Sequence, residues 1–322
     1  MKSLITILFM SIAFAFTIQA QDCKELVTAI KNENTFKVQE LLKSLNPNCS
    51  YNDDLIQPRT PLGMAVTTGN LKIVKLLVNA GAKTNYRFKR DASALMIAAS
   101  HGDIEMTRYL VSKGAKVDVS INGDGTPLMS AVKGGNPAIV KLLLQKGANP
   151  NKATIGDGNA MILAGTSGSK EILKLLIEYG TDINRAVIGD GTALIRASSS
   201  GNTEIVKALV NLGADVNKES RGDGNPLIMA SKKGHLQIVE FLVNSGADVN
   251  VHIRGDETPL IGAAWNGHLE VVKYLIEKGA DVNVSVRDGY SLNSEKRSAL
   301  KMAKRGGHEK VITYLLSQGA TR

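Results

Sequence analysis

Hydrophobic positions after about residue 59 fall in pairs of short clusters, and the pairs return at a fixed step. Residues 225–255 show one complete period. Leu227, Ile228, Ala230 and Ser231 make a narrow apolar and small face at helical spacing. After Gly234, a longer amphipathic stretch follows through Leu236, Ile238, Val239, Leu242 and Val243. Asn225 is suited to cap the first helix, and Pro226 sits where its missing N–H costs nothing. Gly246 stops the second helix, and residues 247–250 open an extended turn toward Gly255-Asp256. The pattern predicts helix, tight turn, helix, and a projecting hairpin-like loop.

The phrase that opens this period recurs every 33 residues at Thr60-Pro61-Leu62, Ser93-Ala94-Leu95, Thr126-Pro127-Leu128, Asn159-Ala160-Met161, Thr192-Ala193-Leu194, Asn225-Pro226-Leu227 and Thr258-Pro259-Leu260. An eighth copy, Ser298-Ala299-Leu300, comes 40 residues later, so seven residues are inserted between Arg287 and Arg297. Two glycine series, one from Gly69 to Gly267 and one from Gly81 to Gly279, keep the same step. A fixed period in this range marks a solenoid of stacked supersecondary pieces.

These residues resemble ankyrin repeats. The likeness rests on the Thr-Pro-Leu phrase, the short Ala-rich helix, the turns Gly234-His235 and Gly267-His268, the second helix and Gly-Ala-Asp-Val-Asn. It runs from about residue 59 to the C-terminus. It implies an all-α repeat solenoid of helix–turn–helix pairs with projecting β-hairpin loops, which binds partners in a concave groove. Two features depart from the common pattern. Gly63, Met96, Met129, Ile162, Ile195, Ile228, Ile261 and Lys301 stand where the family usually has histidine. The loops read Gly-Asp-Gly at 123–125, 156–158, 189–191 and 222–224, a variant similar to ankyrin segments of exported bacterial proteins.

Residues 1–20 read as a secretory signal, with Lys2, an apolar run from Leu4 to Phe16 and an expected cleavage site after Ala20. A membrane anchor is the alternative, but the run is short for a span. Residues 21–50 carry a capping helix pair (Glu25 to Ile30 and Phe36 to Leu45), residues 51–58 connect, and residues 59–322 hold eight repeats, the last a C-terminal cap. The expected compartment is the periplasm or the exterior. There the two cysteines, Cys23 and Cys49, are placed to bridge, since antiparallel helices bring their ends together. Two free thiols are the alternative. A capped array is expected to be a monomer.

Aromatics at 4% suit thin helix layers packed with aliphatic side chains. Without the signal, 38 basic residues face 30 acidic ones. This mild excess permits an acidic partner and does not call for nucleic acid. No catalytic group, cofactor site or metal site is expected. The histidines are spread along the array and lack the spacing of a helical zinc site. The Gly-Asp-Gly tips read as turns in which aspartate bonds its own backbone, with a cation-lined edge as the alternative. No Gly-Lys-Ser/Thr phosphate cradle follows them.

The candidate binding groove is lined by loop tips and inner-helix ends. Ile155 and Ile188 offer an apolar middle, while Arg221, Lys232, Lys233, Arg254 and Arg287 surround Trp265, the single tryptophan. Trp and Arg dominate interface hot spots. Trp265 has two readings, a docking contact or a ring lying flat on the next repeat. The expectation is a non-catalytic exported scaffold that binds an acidic or partly apolar protein segment. The rival is an anionic polymer, polysaccharide or nucleic acid, held by the basic C-terminal third.

Overall fold

The computed structural model describes residues 23–49, 60–87, 92–121, 123–154, 156–167, 169–253, 257–287 and 296–321. The expected signal (1–20) and connector (51–58) lie outside the described residues. The chain divides into two compact blocks, Met1–Asn149 and Pro150–Arg322.

The first block opens with α1 (23–31) and α2 (Thr35–Leu41), which stops at Leu42 and so is shorter than the sequence suggested. Cys23 and Cys49 are joined by a disulfide, with Cα atoms 5.9 Å apart. A bridge closing a loop of 26 residues contributes about 3 kcal/mol by restricting the unfolded chain. Three repeats follow as pairs of inner and outer helices: α3 (Pro61–Thr67) with α4 (Leu71–Asn79), α5 (Ala94–Ser100) with α6 (Ile104–Ser112), and α7 (Pro127–Gly134) with α8 (Pro137–Gln145). The cap is tied to the first repeat, because Asn48 Nδ2 donates to the Gly81 carbonyl and Asn48 Oδ1 accepts from Lys83 N–H.

The second block holds five more pairs: α9 (Ala160–Ser167) with α10 (Lys170–Glu178), α11 (Ala193–Ser200) with α12 (Thr203–Asn211), α13 (Pro226–Lys233) with α14 (Leu236–Asn244), α15 (Pro259–Trp265) with α16 (Leu269–Glu277), and α17 (Ala299–Gly306) with α18 (Glu309–Ser317). Where described, the loops pair as short hairpins. β1 (Ala153–Thr154) pairs with β2 (Gly158–Asn159), and single bridges join Val187 to Gly191 and Ser220 to Gly224. The longest pair, β3 (Ser285–Arg287) with β4 (Lys296–Ser298), flanks the seven-residue insertion.

Inner helices start where the repeated phrase says they should. Thr126 Oγ1 accepts from Met129 N–H, Asn225 Oδ1 accepts from Ile228 N–H, and Pro127 and Pro226 occupy the first helical position. The inner helices before the last bury most of their length, as in Leu227, Ile228, Ala230 and Ser231, whereas α17 leaves its final turn exposed. Each outer helix buries one stripe, as in Ile238, Val239 and Leu242. Within the second block α11, α13, α15 and α17 pack side by side in sequence order. A ladder of asparagines joins successive repeats at the loop base. Asn217 and Asn250 each donate to the glycine carbonyl of the next repeat (Gly246, 3.0 Å; Gly279, 2.9 Å). They accept in turn from Asp248 and Asp281 N–H.

Candidate partner-binding groove

Two neighbouring loops and two inner helices of the second block enclose a hollow of about 170 Å³. Its walls include Asp190, Arg196 and Ser199 from one repeat and Asp223, Met229 and Lys232 from the next. Arg196 holds one wall in place. Its Nε donates to the Asp190 carbonyl at 2.9 Å, and Nη2 donates to the Asp190 carboxylate at 2.9 Å and the Gly189 carbonyl at 3.3 Å. The Asp190 side chain is 10% exposed, so this pair works at lower dielectric than a surface contact. With the loop fastened, Ile188 stands at the tip, 90% exposed.

The aspartates of these loops serve their own turns. Asp223 accepts from Ser220 Oγ at 3.0 Å, and Asp157 accepts from Thr154 Oγ1 at 3.4 Å. Among the described residues no three His, Cys, Asp or Glu side chains gather as a metal site requires.

Arg221 is exposed on the loop one repeat beyond Ile188, and Arg287 is exposed on β3. Lys232 is half-buried and Lys233 exposed, both in the last turn of α13, where cations complement the helix C-terminus. Trp265 ends α15 and is half-buried. Its ring meets two guanidinium groups, Arg305 at 5.6 Å and Arg297 at 5.9 Å from the centroid. These distances fall within cation–π range. Ile155 and Arg254 lie outside the described residues.

The structure therefore gives Trp265 cationic neighbours that sequence reasoning did not single out. Arg297 also pairs with Glu257 at 2.7 Å, with side-chain exposures of 25% and 7%. That contact fastens the β4 arm of the longest loop to the preceding repeat. Breaking a buried pair by removing one partner leaves a charge uncompensated.

A row of histidines lies beneath these side chains. His235, His268 and His308 each direct Nε2 at a carbonyl of the preceding repeat: Ser199 at 3.2 Å, Lys232 at 3.2 Å and Trp265 at 2.9 Å. A carbonyl only accepts, so Nε2 carries the proton. Burial is the main influence holding the His268 pKa below its ordinary value; the Lys232 carbonyl opposes it, and His235 and His308 add to the lowering. His101 differs. It ends α5 instead of preceding an outer helix.

Stacked helix pairs, minimal hairpins and asparagine ladders define a repeat scaffold. The family described as ankyrin repeats (3 copies) matches residues 26–121, 83–154, 117–187, 161–253, 194–286 and 254–321. The chain belongs to the ankyrin repeat family. It is also 38% identical over 71 residues to the Notch-regulated ankyrin repeat-containing protein of Xenopus laevis. That match spans 21% of this chain and 61% of the relative's length. Ankyrin repeats are generally protein-interaction modules. Among the described residues, no helix is long and apolar enough to cross a membrane.

Proposed function

We propose that this protein is an exported, non-catalytic scaffold that binds an acidic protein segment in the groove of its second block. One observation carries the reading. Lys232, Trp265 and Arg305 occupy the ends of three successive inner helices, with Lys233 and Lys304 exposed beside them. Trp265 stacks against arginine rather than filling a core position. Large aromatic area next to guanidinium groups is the usual composition of an interface hot spot. The fastened loops lose little freedom on docking, which favours binding. Export is supported by the Cys23–Cys49 bridge, since such bonds persist in oxidising compartments.

The test is retention of a native partner from an envelope or extracellular fraction. The bait is residues 21–322, run beside a Lys232→Glu, Arg305→Glu variant of matched thermal stability. A protein held by the first and lost by the second is the expected outcome. Equal retention moves the site elsewhere. Capture of a polyanion and no protein overturns the reading.

A further inference from the structure

Ser199, Lys232, Trp265 and Arg305 share one repeat position in four consecutive repeats, at the ends of α11, α13, α15 and α17. The backbone of this row is pinned. The carbonyls of Ser199, Lys232 and Trp265 are the acceptors of His235, His268 and His308. Each imidazole lies against a glycine of the preceding repeat so closely that a methyl group there would meet the ring at 2.7 Å (Gly201), 2.5 Å (Gly234) and 2.5 Å (Gly267). The spacing between successive row residues is therefore fixed by packing.

Packed helix axes lie about 8–10 Å apart, and an extended chain advances about 3.3 Å per residue, so one repeat matches about three residues of an extended segment. We propose that the row acts as a ruler for an extended acidic segment. It places a carboxylate at Lys232, an apolar side chain at Trp265 and a second carboxylate at Arg305, each three residues from the last. The charges of the row favour this occupant at its Lys232–Arg305 end. At the other end the row residue is the uncharged Ser199, and the Arg196 cation beside it is engaged by the Asp190 carboxylate, so a further carboxylate gains little there. The ruler rests on the proposed acidic partner and adds its register.

Trp265 is the only tryptophan, so its fluorescence reports binding directly. The probes are synthetic peptides with Glu-Gly-Ser-Leu-Gly-Ser-Glu at the centre, which reads the same in either chain direction for its key residues. Controls are an isomer with the two glutamates directly flanking leucine, and a peptide with glutamates seven residues from leucine. The three-residue spacing should bind at least about tenfold tighter than either control. Lys232→Gln and Arg305→Gln should each remove most of that preference, and Lys232→Arg should keep it while showing that the fold is intact. Equal affinity for the spaced peptide and its isomer would sink the ruler and leave acidic binding standing. Preference for the seven-residue spacing would replace the extended segment by a helix. If neither acidic peptide binds but inorganic polyphosphate does, both readings fail.

Discussion

The outer helices of this molecule start in two different ways. In α4, α6, α8, α10 and α12, the residue before the helix is Asn70, Asp103, Asn136, Ser169 or Asn202, and its side chain accepts a backbone N–H of its own first turn. In α14, α16 and α18 the residue is His235, His268 or His308, which makes no such bond and reaches back to the preceding repeat. Asn136 does both, since its Nδ2 also donates to the Gly102 carbonyl at 2.9 Å. A side-chain cap and a neutral hydrogen bond are each worth about 1 kcal/mol, so the exchange is nearly even in total. It differs in where the free energy acts. Repeat arrays are stabilised by intrinsic terms and by interfaces between neighbours. Histidine moves stabilisation from the first kind to the second, and does so in the repeats that carry Lys232, Trp265 and Arg305.

The largest effect expected from breaking this contrast is at the glycines under the rings. Gly234 has φ of +76°, and an added Cβ would lie 2.5 Å from His268 Nδ1. Gly135 has φ of +70° with open space around it. Gly135→Ala should cost about 1–2 kcal/mol for the left-handed backbone alone. Gly234→Ala should cost about 2–4 kcal/mol, because overpacking adds to the same backbone strain. Urea unfolding of the two variants decides the matter, and equal losses would mean that the imidazole simply moves aside.

Next comes His268→Ala, which removes the bond to the Lys232 carbonyl and should cost about 1–2 kcal/mol. The loss should separate the unfolding of α15–α18 from that of α11–α14 in hydrogen exchange. Asn202→Ala, which removes only a local cap (Ile205 N–H to Oδ1, 3.1 Å), should cost about 1 kcal/mol without that separation.

Much of this architecture is legible in the sequence because the backbone demands it locally. Thr126 and Asn225 must cap, Pro127 and Pro226 must come first in their helices, and a glycine must end each turn. The row positions of Lys232 and Trp265 follow from counting repeats. The missed residues break the repeat. Arg196 stands at the position that is Leu163, Met229 and Gly262 in neighbouring repeats, and a lone charge in an otherwise apolar or small series is a signal that could have found it. Arg297, just before Ser298, counts to Glu257 and to the glycines 224 and 191, and a charge where glycine is usual is a signal of the same kind. Stacking joins residues of one position across repeats, which sets Arg305 beside Trp265. The turn positions of His235 and His268 are legible from the repeat. Their bond to the preceding repeat is a tertiary contact that spacing does not announce.

Acidity offers a gentler way to sharpen the same contrast. The folded His268 pKa is lowered from its ordinary value of about 6.5, so the unfolded chain binds more protons between the two values. Stability therefore rises with pH across that interval. It should be fully present above about 6.5, fall as pH drops through 6.5, and level off below the folded value. The loss should be smaller than that of Gly234→Ala and confined to the two repeats that His268 joins. Hydrogen exchange at two pH values tests this: protection should drop in α13–α16 and hold in α3–α4, where Asn70 does the capping. A matching drop in α3–α4 would assign the effect to groups other than His268.

The smallest expected change in total stability is also the most direct trial of the exchange. Asp103→His gives up the cap to Met106 N–H at 2.9 Å. It places an imidazole over Gly69, whose φ is +75° and which has nothing within 4 Å of an added Cβ. A lost cap of about 1 kcal/mol and a gained hydrogen bond of about 1 kcal/mol should nearly cancel. The midpoint of unfolding should scarcely move, while the exchange rates of α3–α4 and α5–α6 become more alike. If the midpoint falls by the full value of the cap and the rates stay apart, the new histidine has not reached the preceding helix. In that case the room beside the glycine, and not the imidazole alone, is what distinguishes the C-terminal repeats.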